Sequence, residues 1–231
     1  MWKRRINSVT AAVLFAVAAT GCDSAAVDQE YAGGNTGNVE SVLKTLPIDI
    51  PSPIETEGLV FMREEEKLAH DVYVVLYDAW GAKVFNNIAA SEQKHTDAIK
   101  LLLDRYGIED PVTDSSVGVF KNEVLAGLYA TLVETGKKSV VDALMVGAAI
   151  EEIDIRDIMT ELTDNVDNAD ITFVYESLLA GSGNHLRAFV SNLAMQGVDY
   201  EPQYLDDALY ESIIESTNTS GNGGGNGRHG G

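Results

Sequence analysis

The sequence is poor in cysteine and in basic residues. Cys22 is the only cysteine, which excludes an intramolecular disulfide and any cysteine-rich zinc or iron–sulfur site. The 16 lysines and arginines are outnumbered by 36 acidic residues, which gives a formal net charge of −20. Nucleic-acid binding needs clustered Lys and Arg, and the sequence has no such patch, so we expect no nucleic-acid partner. An acidic surface raises the local concentration of cations, although it does not by itself form a metal site.

The amino terminus has the pattern of an export signal. Basic residues at positions 3–5 precede an apolar stretch over residues 9–19, which is too short for a stable membrane span. Small residues, Ala-Thr-Gly, then lead into Cys22, which resembles a bacterial lipoprotein signal. We therefore predict a signal peptide over residues 1–21 and a lipid anchor on Cys22, which would attach the protein to a membrane of the bacterial cell envelope. The alternative is an ordinary secreted protein with an incidental cysteine.

The two ends of the chain differ in composition from its middle. Residues 22–46 are rich in Gly, Asn, Ser and Asp, and we predict that they form a flexible tether. Residues 217–231 are mostly Gly and Asn and predict a disordered tail, in which His229 is incidental. The folded domain is therefore expected within residues 47–216.

The hydrophobic pattern of the middle is helical, without a convincing strand. Four long helices are predicted, over about residues 54–80, 84–106, 139–162 and 169–196, with shorter helices over about 121–135 and 203–215. Short links join the first pair and the second pair, whereas about thirty residues join the second long helix to the third. Short links favour antiparallel neighbours, and one long crossover is typical of ferritin-like bundles. We therefore predict an all-α fold, a ferritin-like four-helix bundle with a long crossover between the second and third long helices.

The second long helix carries a carboxylate and an imidazole inside its apolar stripe. Glu92 and His95 are three residues apart and lie on the helix face that also holds Ile88 and Ile99. A buried carboxylate without a partner is costly, so this pair needs a partner or a metal ion. Because Glu-x-x-His alone is a weak motif, an exposed Glu–His pair is the alternative.

The other three long helices repeat this arrangement. Glu65 lies at the centre of the buried face of the first helix, whereas His70 points away from that face. Glu151 lies on the buried face of the third helix, with Glu152 beside it, and His185 lies on that of the fourth. Four helices that each offer an inward Glu or His predict a shared metal site, and this mixture of ligands suits iron or manganese.

Four segments carry a family resemblance: residues 63–73 (REEEKLAHDVY), 88–95 (IAASEQKH), 146–155 (VGAAIEEIDI) and 181–189 (GSGNHLRAF). Together they resemble the ferritin-like family called domain of unknown function 2202, over about residues 59–193. The family name implies a fold far better than an activity. More distantly, the pattern is similar to rubrerythrin-type di-iron domains, and this resemblance implies a set of metal ligands: Glu66, Glu92, His95, Glu152 and His185.

The sequence departs from the rubrerythrin-type pattern at Ser182, where that pattern has Glu. One bridging or terminal carboxylate is therefore missing, and the site is expected to hold one or two ions. Helix facing favours Glu65 and Glu151, where the resemblance implies Glu66 and Glu152. We give more weight to facing in the first helix, and in the third helix the choice stays open. The candidate metal ligands are accordingly Glu65, Glu66, Glu92, His95, Glu151, Glu152 and His185.

Three functions are compatible with these residues. The leading hypothesis is a protein that binds iron or manganese ions and reacts with oxygen or peroxide, with electrons from an external donor because the chain has no iron–sulfur module. The second is a metal sensor or carrier without turnover. The third is a structural or interaction bundle in which the inward polar groups satisfy one another without metal. The sequence does not define an oligomeric state.

Overall fold

The computed structural model of the protein describes residues 39–216. The prediction of an all-α chain is confirmed for these residues, which contain no strand and form seven α-helices: α1 Val39–Leu43, α2 Pro53–Trp80, α3 Lys83–Tyr106, α4 Glu123–Gly136, α5 Val140–Thr160, α6 Ala169–Met195 and α7 Asp207–Glu215. The predicted signal peptide, the lipid anchor at Cys22 and the predicted tail lie outside the described residues. No helix within residues 39–216 is both long and apolar enough to cross a membrane.

Local sequence signals set the ends of α2 and α3. The Ser52 side chain accepts a hydrogen bond from the backbone N–H of Glu55, and the Glu55 carboxylate accepts one from the backbone N–H of Ser52, which forms a capping box at the start of α2. Gly81 ends α2 with a φ of 65°, and Gly107 ends α3 with a φ of 66°. Both glycines adopt the left-handed conformation that closes helices. The link between α2 and α3 is therefore short.

Two segments differ from the sequence prediction. Part of the predicted tether, residues 22–46, forms the short helix α1, because Val39 and Leu43 are apolar and pack in the same buried cluster as α3 residues. The third long helix ends as an α-helix at Thr160 and continues as a π-helical turn, Glu161–Asn165. This turn lies beyond the candidate ligands of α5, so it does not change which of them face inward.

The four long helices pack around a common core. Helix α2 lies along α3, and α5 lies along α6, while α3 contacts α6 and α2 contacts α5. The connection between α3 and α5 contains α4, which packs against both α2 and α5. The pairs that are joined by short links are therefore neighbours.

The apolar core is divided into two clusters. One contains Leu68 and Phe85, and the other contains Leu59 and Ile99. On α2 and α3, charged and polar residues lie buried between these apolar residues: several glutamates, one histidine, Arg63, Lys67 and Thr96. The core between the long helices therefore has a polar layer between two apolar regions.

Candidate metal centre

All four long helices contribute a buried acid or histidine to this polar layer. Five of these side chains contact one another: Glu66 from α2, Glu92 and His95 from α3, Glu151 from α5 and His185 from α6. Each of the five residues is at most 7% exposed.

Glu92 lies between the two histidines. Its Oε2 is 2.8 Å from Nδ1 of His95, and its Oε1 is 2.6 Å from Nδ1 of His185. The two imidazole rings are stacked, with their centroids 5.4 Å apart. Each of the three side chains offers a donor atom within 4.8 Å of the other two. The Glu92 carboxylate therefore faces both imidazoles and is placed to contact a metal ion bound at either of them.

A further carboxylate contacts each histidine at the same ring nitrogen that faces Glu92. Glu66 Oε2 is 3.2 Å from Nδ1 of His95, and Glu151 Oε2 is 3.3 Å from Nδ1 of His185. The side chains thus alternate in the order carboxylate, imidazole, shared carboxylate, imidazole, carboxylate. This order divides the centre into two similar halves, one on the α2–α3 side and one on the α5–α6 side.

Many polar atoms in the centre have no hydrogen-bond partner among the described residues. They include both carboxylate oxygens of Glu92, Oε1 of Glu66, Oε2 of Glu151 and Nδ1 of His185. The short distances from Glu92 to the histidines therefore do not have hydrogen-bond alignment. Buried polar atoms are normally paired, and leaving several unpaired in one place is costly. A cation bound between these atoms would satisfy them.

The charges of the centre depend strongly on one another. Burial disfavours ionised Glu92, but the two histidines outweigh this effect and lower its pKa. Burial likewise disfavours protonated His185, but Glu92 and Glu151 raise its pKa to about 9. Burial raises the pKa of Glu66 to about 7, although His95 acts in the opposite direction. Without metal, Glu92 is therefore ionised between imidazoles that hold protons readily.

Neighbouring residues fix the orientation of two of these side chains. Tyr73 donates a hydrogen bond to Oε1 of Glu151 at 2.5 Å, which leaves Oε2 directed at His185. The His95 ring packs directly on the backbone of α6 at Gly181, where a Cβ atom would lie 2.5 Å from Nε2 of the ring. Only glycine permits this approach. Ser182, beside it, donates to the backbone oxygen of Leu178 at 3.2 Å.

The structure separates Glu152 from the centre. Its carboxylate accepts hydrogen bonds from the Tyr200 hydroxyl and from the backbone N–H groups of Gln203, Tyr204 and Leu205, at 2.5–2.9 Å for the shortest contact with each. These hydrogen bonds attach the Glu152 side chain to the segment that follows α6. Of the two candidates on α5, Glu151 is the one that contacts a histidine.

The structure also separates Glu65 from the histidines. Helix facing favours Glu65, but Glu66 is the residue that contacts His95. Facing fails here because every residue from Met62 to Ala69 is buried, so α2 has no exposed side in this region to define its orientation. His70 lies at the end of this buried run, with its side chain 23% exposed and Nδ1 2.9 Å from Asp71.

Asp154 is a further buried acid near the centre that is not among the candidate ligands from the sequence. It is 1% exposed, lies three residues after Glu151 on α5, and its Oδ2 has no hydrogen-bond partner among the described residues. Burial raises its pKa well above the usual value, and the negative charges of Glu66, Glu65 and Glu151 raise it further. The signal was present in the sequence as Glu-x-x-Asp, because residues three apart share a helix face.

Comparison with known proteins places the chain in a family. The model of the uncharacterized protein domain DUF2202 matches residues 55–217. An uncharacterized protein of Methanocaldococcus jannaschii, MJ0754, is 52% identical over 179 residues, which are 78% of this chain and 96% of that protein. Its crystal structure, described as that of a hypothetical protein, matches with a TM-score of 0.73 and 53% identity, over 75% of this chain and 98% of the other. This chain belongs to the DUF2202 family.

Proposed function

We propose that the domain is a ferritin-like four-helix bundle that binds divalent transition-metal ions between its long helices. Glu92 and His95 would act with Glu66 on one side, and the same Glu92 would act with His185 and Glu151 on the other. The observation that carries the proposal is the position of Glu92, whose two unpartnered oxygens each face a different buried histidine. Carboxylate and imidazole ligands without cysteine suit iron or manganese.

The buried charge favours two ions. Three carboxylates contact the histidines: Glu66, Glu92 and Glu151. With neutral histidines, as metal ligation requires, these groups in their ionised form carry three negative charges, which one divalent cation does not neutralise. An uncompensated buried charge is strongly unfavourable. Asp154, which lies close enough to interact electrostatically with Glu66 and Glu151, would add to this negative charge.

In this proposal the bound metal supports redox chemistry with oxygen or peroxide. The chain contributes ligands that hold the ions, Tyr73 to orient Glu151, and an apolar surround that keeps bulk water from the centre. Electrons come from an external donor, because a chain with one cysteine has no iron–sulfur module of its own.

A metal carrier or sensor without turnover is the second candidate. It is favoured by Ser182, whose hydroxyl is occupied by the backbone oxygen of Leu178 and so replaces an expected ligand with a hydrogen bond inside α6. Consumption of peroxide by the metal-loaded protein separates the two candidates, since a carrier retains its metal and leaves peroxide unchanged.

Metal content of histidine variants tests the proposal directly. His95→Ala and His185→Ala should each sharply reduce the metal per chain while circular dichroism shows unchanged helical content. His70→Ala is the matched control, because His70 contacts Asp71 and none of the five central side chains; it should keep its metal and its helical content. Equal metal in the wild type and both central variants contradicts a shared site.

Membrane attachment is a separate proposal that rests on the sequence around Cys22. Cys22→Ser should release the protein from membranes into the soluble fraction, with its metal content unchanged. A variant that is exported normally and stays in the membrane fraction contradicts the lipid anchor.

A further inference from the structure

Acidic residues continue along α5 beyond the metal centre. Besides Glu152, the next acids after Glu151 are Asp154 and Asp157 on α5 and Glu161 at the start of the π-helical turn, at intervals of three, three and four residues. These intervals keep side chains on one side of a helix. At about 1.5 Å per residue, the ten residues from Glu151 to Glu161 span about 15 Å.

This row of acids runs from the core to the surface. Asp154 is 1% exposed, the Asp157 side chain is 27% exposed, and Glu161 is half-buried at the start of the π-helical turn. The inner end of the row therefore lies beside the candidate ligands, and its outer end reaches solvent.

Helix α2 forms the opposite side of the row. Gly58 and Glu65 are seven residues apart and so share a face of α2. Gly58 lies against Glu161, because a Cβ atom there would be 2.6 Å from Oε2 of Glu161. Glu65 lies beside Asp157 and Glu66: burial raises its pKa well above the usual value, and these two negative charges raise it further. The acidic row is therefore enclosed between α2 and α5.

The carboxylates of the row have unused oxygens. Among the described residues, Oδ2 of Asp154, Oε2 of Glu65 and Oε2 of Glu161 have no hydrogen-bond partner. The residues Asp154 and Glu65 are 1% and 4% exposed, so these oxygens are also shielded from bulk solvent. Arg156 occupies the outer part of the row, where its Nε donates to Oδ1 of Asp157 at 2.7 Å. The inner acids thus keep oxygens free for a cation.

We propose that Glu161, Asp157, Glu65 and Asp154 form an uptake path along which divalent cations reach the metal centre. Carboxylate oxygens are suitable ligands for such ions. Among residues 39–216, no three acids of the row bring donor atoms within 4.8 Å of one another as Glu92, His95 and His185 do, so the row lacks the closely spaced donor set of the centre. This inference rests on the proposed metal-binding function.

A direct route past His185 is the competing path, because the His185 side chain is 9% exposed. That route has no row of unpartnered carboxylates among the described residues. The two routes differ in which residues control the rate of uptake, and they give the same final metal content.

Cobalt uptake distinguishes the two routes. The full chain is stripped with a chelator and mixed rapidly with Co²⁺ alone, whose visible absorption reports coordination by carboxylate and imidazole. The variant Asp157→Asn/Glu161→Gln should take up Co²⁺ about tenfold more slowly than the wild type, because it loses the charges that attract cations into the path. Its final cobalt content, measured by elemental analysis, should equal that of the wild type.

The matched control is Asp78→Asn/Glu134→Gln. These two acids lie exposed towards the carboxyl ends of α2 and α4, and Asp78 is thirteen residues, about 20 Å along α2, from Glu65. The variant therefore loses the same net charge away from the path and should keep the wild-type rate. Glu65→Gln tests the inner part of the path and should also slow uptake without lowering the final content.

Each of the remaining outcomes contradicts a specific part of the proposal. A wild-type rate in Asp157→Asn/Glu161→Gln overturns the path and leaves the route past His185. A slow rate shared by the control variant overturns it as well, because general surface charge then explains the effect. A lower final content in the path variants means that these acids hold metal rather than conduct it. Absence of cobalt binding by the wild type contradicts the proposed function itself.

Discussion

Glu151 and Glu152 are adjacent on α5 and both are fully buried, yet their carboxylates have different surroundings. Glu152 accepts hydrogen bonds from a tyrosine hydroxyl and three backbone N–H groups of the segment after α6. Glu151 accepts one from Tyr73 and turns its other oxygen towards His185 without hydrogen-bond alignment. One carboxylate is satisfied by the chain, and the other is not.

The same division holds for other buried glutamates. Glu64 accepts from the backbone N–H groups of Lys121 and Asn122 in the crossover, and Glu55 accepts from those of Asp167 and Asn168 before α6. These carboxylates attach connecting segments to the helices. The carboxylates around the two histidines lack such donors, so burial alone does not indicate a ligand. The absence of other partners is the informative feature.

Exchanging one acid of each kind should have opposite consequences for the metal content. Glu92→Gln should remove most of the metal, and it should also destabilise the metal-free fold, because it leaves the imidazoles of His95 and His185 without the carboxylate that they face. Glu152→Gln should keep the metal of the folded protein but lower the free energy of unfolding by roughly 1–3 kcal/mol, because an amide cannot accept all four hydrogen bonds. Elemental analysis and urea unfolding measure both effects. Loss of metal in Glu152→Gln alone would reverse the assignment.

Two glycines on α6 differ in how closely an added Cβ atom would approach a neighbouring side chain. At Gly181 a Cβ would lie 2.5 Å from Nε2 of His95, whereas at Gly183 the nearest atom would be 3.7 Å away. Gly181→Ala should displace the His95 ring, weaken metal binding and cost about 1–3 kcal/mol by overpacking. Gly183→Ala should bind metal normally and gain about 0.5–1 kcal/mol from its better helix propensity. Equal metal affinity in the two variants would show that the position of His95 is unimportant.

The stability of the metal-free protein should fall as pH rises. The folded pKa values of Glu66 and His185 are about 7 and about 9, above their ordinary values of 4.5 and 6.5. Groups with raised folded pKa values contribute stability that is present below the unfolded value and lost as pH rises through the folded value. The melting temperature without metal should therefore decrease between about pH 5 and 9. Added Mn²⁺ should stabilise the protein more as pH rises, because ligation requires deprotonated groups; a pH-independent metal effect would contradict ligation by these histidines.

The smallest effect is expected from the carboxyl-terminal tail. Deletion of residues 217–231 removes His229 and leaves every residue of the proposed centre in place. Metal content and melting temperature should stay within experimental error of the wild type. A large loss of metal would make His229 a ligand and extend the centre beyond the described residues.

The helices were predictable because their signals are local. Gly81 and Gly107 end α2 and α3 where the sequence indicates, and the apolar stripe of α3 places Glu92 and His95 inward. The choice between adjacent glutamates was not predictable in this way. Glu152 is engaged by a segment about fifty residues away, and no helical pattern encodes such a contact. Glu66 is one of eight consecutive buried residues, so periodicity carries no information there.

The most direct measurement is anomalous diffraction from crystals of the full chain grown with Mn²⁺ or Fe²⁺. The account predicts two peaks, roughly 3.5–4 Å apart as in two-metal sites, on either side of the Glu92 carboxylate, one near His95 and Glu66 and the other near His185 and Glu151. A single peak that contacts both histidines would limit the centre to one ion. Density without any peak, in which both oxygens of Glu92 form aligned hydrogen bonds with His95 and His185, would contradict the proposed metal centre.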